Sequence, residues 1–148
     1  MRLLGSRIHL RIVLDTNIII SGNLMNHGPS FQILEAWRKG MFNLLVSPEI
    51  LDEVNRVLHY PRIKVKRKLT EERIDEILGR LERYGIVVFP ELRVRVVSED
   101  VEDDKFVEVA IEGEADYIVT GDRHILSLGR YRGVKILSPQ DLIRSVKW

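Results

Sequence analysis

With 148 residues the chain has room for one domain with a sizeable core, and 45% apolar with 30% charged residues is the composition of a globular protein. It has no cysteine, which excludes disulfides, zinc–thiolate sites and thiol chemistry and suits a reducing cytoplasm. No apolar stretch nears the roughly 18 residues of a membrane span, and arginines break up the start, so neither membrane association nor a signal peptide is expected. The net charge of +1 says little, but residues 62–68, RIKVKRK, hold five cations in seven positions.

In chain order, the short β-branched run 12–14 suits a fully buried strand. Pro29 and Ser30 precede a helical pattern, FQILEAWRK, that Gly40 ends. Phe42–Val46 is a second strand candidate, followed by Ser47 as N-cap with Pro48 at the first helical position. Thr70 similarly caps EERIDEILGRLERY, which Gly85 stops, and residues 86–89 make a third strand. Residues 93–97 alternate weakly, as an edge strand or an extended loop. A helix is expected over 103–112, closed by Gly113, then strands at Tyr117–Val119 and 135–137, and a terminal helix opened by Ser138-Pro139. Strands alternating with helices predict an α/β fold with a parallel sheet covered on both faces, and no domain boundary interrupts residues 1–148.

Four acids stand where this chain turns. Asp15 closes the run that starts at Arg11, Asp122 closes Tyr117–Val119, Glu53 rides the helix after Phe42–Val46, and Asp104 opens the helix over 103–112. Carboxylates at the carboxyl ends of parallel strands lie where open α/β sheets bind ligands. Several converging there need a cation, and hard oxygen ligands suit Mg²⁺ or Mn²⁺. Each also has a plainer explanation. Asp15 with Thr16 and Asn17 favours a turn, Glu53 falls at the edge of its helix's apolar arc, and Asp122 can cap a short helix at RHILSL. If Asp103 is an N-cap, Asp104 projects freely.

The ensemble resembles the PIN domain family of metal-dependent nucleases along nearly the whole chain. VLDTNIIIS is similar to the family's first-strand motif, Glu53 in SPEILDEVNRVL to its helix-borne acid, and DDKFVEVAIEGEADYIVTGD to its third and fourth acidic positions, with Thr120 two residues before the last acid. The branch it most resembles holds toxin components of toxin–antitoxin pairs. The resemblance implies a three-layer α/β/α sandwich in which the first and fourth strands are neighbours, an RNA substrate, an antitoxin partner and a homodimer.

On that basis Asp15 and Asp104 are expected as principal metal ligands, with Asp122 and Glu53 completing the acidic pocket through waters or a second ion. Thr16, Asn17, Asp103 and Thr120 would support them. A metal there would neutralise charge on a phosphodiester and lower the pKa of bound water, making the chain an endoribonuclease. The cations Arg62, Lys64, Lys66, Arg67 and Lys68 would hold the nucleic-acid backbone beside the acids. The chain lacks a phosphate-binding P-loop, a dinucleotide fingerprint and a nucleophile elbow. Two alternatives share the residues: a PIN-like module that binds RNA or protein without cutting, and a metal-dependent phosphatase. Leu24, Met25, Phe31 and Trp37 supply apolar bulk for a dimer or for the monomer's own core.

Overall fold

The computed structural model describes residues 9–94 and 104–148. Six strands form one sheet in the order β3-β2-β1-β4-β6-β5. They are β1 (Leu10–Leu14), β2 (Phe42–Val46), β3 (Ile86–Val87), β4 (Tyr117–Val119), β5 (Arg130–Tyr131) and β6 (Val134–Leu137). Every pairing is parallel except the short β5–β6 edge, which is antiparallel and lies outside the all-parallel expectation. Helices flank the sheet: α1 (Thr16–Leu24), α2 (Pro29–Arg38), α3 (Pro48–Leu58), α4 (Pro61–Lys64), α5 (Glu71–Tyr84), α6 (Asp104–Glu112), α7 (Arg123–Leu126) and α8 (Pro139–Ser145). The layering is the α/β/α order predicted.

Side chains 12–14 have no exposed surface, as a central strand covered on both faces requires. Helices α3, α5 and α8 begin where the sequence supplies an acceptor for orphan amides. Ser47 accepts from the Ile50 N–H at 3.2 Å, Thr70 from Arg73 at 3.1 Å and Ser138 from Asp141 at 3.1 Å. Helix α1 was not expected. Asp15 starts it by accepting from the Ile18 N–H at 3.0 Å, and it packs on α2 at Gly22, where an added Cβ would stand 2.4 Å from Leu34 Cδ2.

Other expectations are narrowed. The third strand ends at Val87, although the Val88 N–H still donates to the Val46 carbonyl at 2.8 Å. Arg93 and Val94 have no regular structure; the rest of the 93–97 candidate, and Asp103, lie outside the described residues. Glu108 and Glu112 of α6 hold the preceding segment by accepting the Val94 and Leu92 N–H groups, each at 3.0 Å.

The strand order fixes where a site can form. From β1 the chain builds outward to β2 and β3 on one side, and to β4 and β6 on the other. The crevice between the carboxyl ends of β1 and β4 is therefore a topological switch point. Leu14 pairs with Val119 there, so Asp15 and Thr120 emerge side by side.

Candidate functional site

Asp15 is buried, and both its oxygens are engaged. Oδ1 caps α1, while Oδ2 accepts from Thr120 Oγ1 at 2.5 Å and from the Gly121 N–H at 3.4 Å. Burial holds the Asp15 carboxyl above its ordinary pKa. The bonds from Thr120, Ile18 and Gly121 oppose that rise, and the Asp122 charge adds to it. Thr120 is wholly buried and works twice, since its Oγ1 also accepts from the Asp122 N–H at 3.0 Å. Asp122 caps α7, its Oδ1 accepting from His124 and Ile125 at 2.7 and 3.3 Å. One hydrogen-bonded chain thus ties the carboxyl ends of β1 and β4 together. Beside it opens a cleft of about 440 Å³ whose walls include Asp15, Asn17, Ser21, Gly121 and Asp122.

A second network runs the other way from the same corner. Thr16 Oγ1 donates to Glu53 Oε1, and Lys105 Nζ stands 3.0 Å from Glu53 Oε2. Arg56 lies 3.6 Å from that same oxygen. The neighbours in sequence, Asp15–Thr16 and Asp104–Lys105, thereby bring α1, α3 and α6 together. Asp104 is 2% exposed at the start of α6, which packs against β1, β2 and β4. Sequence reasoning missed Lys105. Its only signal was its place beside Asp104 in DDKF, where a lysine ordinarily reads as solvated.

The structure does not bring all the expected residues to one point. Asp15, Asn17 and Asp122 face the cleft, with Thr120 behind them, whereas Glu53 and Thr16 belong to the second network. The cations at 62–68 sit near the far ends of α1 and α3. Arg67 Nη2 donates to Met25 Sδ at 3.2 Å, just past the end of α1. Nine helical residues separate Met25 from Asp15, roughly 13 Å along the axis. Arg62 lies over the Tyr60 ring and Lys64 pairs with Glu71 at 2.7 Å, while Lys66 and Lys68 are exposed. His124 is exposed too.

A family model of the PIN domain matches residues 11–124, about three quarters of the chain and every acid discussed above. The chain belongs to the PIN domain family. An uncharacterized protein of Methanocaldococcus jannaschii is 31% identical over 122 residues, covering 82% of this chain and 77% of that one. The crystal structure of FitAcB from Neisseria gonorrhoeae is similar at a TM-score of 0.49 and 14% identity, over 87% of this PIN domain chain and 98% of that one.

By kind, the carboxylates of this PIN domain suit a hard divalent cation. Among the described residues, no three His, Asp or Glu side chains form a group that could hold a metal ion. The reason is visible in the donors: amides and a hydroxyl hold Asp15, amides hold Asp122, and a hydroxyl and an ammonium hold Glu53. No helix among the described residues is long and apolar enough to cross a membrane.

Proposed function

We propose that this PIN-domain protein engages RNA at the cleft between the carboxyl ends of β1 and β4, and that with its carboxylates held as they are it does so as a binding module. The observation that carries this reading is the pairing of Glu53 with Thr16 and Lys105. The family's acids are all present, but Asp15, Asp122 and Glu53 are turned toward the protein's own donors. A polyanion approaching Asp15 and Asp122 needs cations, and Lys66 and Lys68 offer them about one helix length away. Phosphate contacts of that kind position a strand without reading its sequence. An antitoxin protein and a second copy of the chain are the protein partners this reading carries with it. Val65, 72% exposed among the cations, gives such a partner an apolar contact.

The second reading is a Mg²⁺- or Mn²⁺-dependent endoribonuclease, the toxin of a toxin–antitoxin pair, with Asp15, Asp104 and Asp122 as ligands and Glu53 completing the pocket. What favours it is the position of Asp15 and Asp122 across the switch point, where open α/β sheets place their ligand sites. A metal-dependent phosphatase would share the pocket but has no use for cations a helix length away.

Single-stranded and structured RNA and DNA, incubated with the protein in EDTA, Mg²⁺ or Mn²⁺, separate these readings. Retention of RNA with no cutting in either metal supports the binding module. Cleavage that needs metal and is abolished by Asp15→Asn and by Asp104→Asn establishes the nuclease, and the variants also control for a contaminating enzyme. Neither retention nor cleavage sinks both. Replacing Lys64, Lys66 and Lys68 together with alanine is expected to weaken binding of all sequences alike and to flatten the slope of log K against log salt by about 2.

A further inference from the structure

Lys105 is an unusual side chain to find buried, with 7% of its surface exposed. Lysine pays a large solvation cost to leave water and does so almost only when paired. Here the ammonium stands 3.0 Å from Glu53 Oε2 and 4.8 Å from the centre of the Phe106 ring, a carboxylate on one side and an aromatic face on the other. The second oxygen of Glu53 accepts from Thr16, the residue next to Asp15. A divalent cation brought to Glu53 would meet the ammonium at the same oxygen, and two like charges at that separation repel strongly.

We propose that Lys105 is the built-in cation of this corner: its ammonium, in place of a metal ion, neutralises Glu53 and fixes that carboxylate against Thr16. Glu53 is then a positioning residue that stiffens the α1–α3–α6 corner, and it stands outside any metal's ligand set. The inference deepens the reading of this region as the working site, and it accounts for the mismatch between the acids present and their arrangement.

The test is Mn²⁺ binding measured by calorimetry on the full chain without nucleic acid. Lys105→Met keeps length and removes the nearer cation, leaving Glu53 to Thr16 and to Arg56 at 3.6 Å, and Mn²⁺ affinity is expected to rise at least tenfold. The rise should vanish in Lys105→Met with Glu53→Gln, where the pair is again neutral, and Lys105→Arg should match the wild type. Unchanged affinity in a folded Lys105→Met protein overturns the proposal, because a purely structural ion pair would leave Mn²⁺ binding alone. A gain that persists in the double variant overturns it as well. Glu53→Gln in the wild-type background decides the matter if Lys105→Met does not fold. Affinity within threefold of the wild type supports the proposal, and a tenfold loss makes Glu53 a ligand after all. RNA retention is not read in this experiment, so failure of the RNA reading and failure of this inference remain distinct results.

Discussion

Thr120 shows how closely the site is bound to stability, because one hydroxyl with no exposed surface serves both Asp15 and the Asp122 amide. Thr120→Val keeps the shape and leaves both of those groups short of a partner, so it should cost about 1–3 kcal/mol. In a chain of this size each kcal/mol lowers Tm by about 2–4 °C, and a thermal melt will show it. Thr120→Ser, which keeps the hydroxyl, should lose less; a Val variant as stable as the wild type would mean that the bond to Asp15 carries little. The two strand-end acids, Asp15 and Asp122, were legible because strand ends and caps are written in local sequence. Lys105 was not. A lysine one residue inside a helix looks solvated until α6 is known to be enclosed, with every residue from Asp104 to Ala110 buried. Nor could local pattern say that Glu53, on the flank of Ile50, Val54 and Leu58, turns toward α6, because that depends on how two helices distant in sequence cross.

Among the elements, the joint between α3, α4 and α5 has its own electrostatics. His59 closes α3, and its Nε2 meets Glu71, which Lys64 of α4 also holds. The Glu71 carboxylate, and then the Asn55 carbonyl, raise the His59 pKa above 6.5. Lys64, and then His59, lower that of Glu71 below 4.5. The histidine's contribution is therefore complete below its unfolded value and lost as pH rises through its folded one. The glutamate's is present above its unfolded value and lost as pH falls through its folded one. The two overlap most fully between about pH 4.5 and 6.5. The Tm difference between wild type and His59→Gln should be greatest in that window, shrink by pH 9 and diminish with added salt. An equal difference at pH 5.5 and pH 9 would remove the ion pair from the account. Helices α3, α5 and α8 were readable from Ser-Pro and Thr caps, but α1 was not. Its core, Ile18 to Ile20, is a β-branched run buried at all three positions, so it carries no helical period, and the Asp15 cap sets its direction instead.

At the scale of the whole molecule, alternation of strands and helices gave the sheet, while the neighbourhood of β1 and β4 came from resemblance and is confirmed by their pairing. The antiparallel edge is too short to announce itself: Arg130 and Tyr131 are two residues in a turn-rich stretch. Trp37, one of the residues considered for a dimer, belongs to the monomer's core, whereas Leu24, Met25 and Phe31 stay half-buried. A homodimer built on those three should sediment at twice the 17.2 kDa chain mass at high micromolar concentration, and particles of single mass alone would end that proposal. Asp15 reaches further than the cleft. The carboxylate that lines it is also the first fastening of α1, through the Ile18 amide. Any occupant that draws Asp15 outward must slacken that fastening, at the top of a helix seated on α2, where the Leu34 side chain fills the space that Gly22 leaves. Exchange of a single amide proton with deuterated solvent, that of Ile18, is thereby a gauge of what the cleft holds, legible before the occupant itself is known.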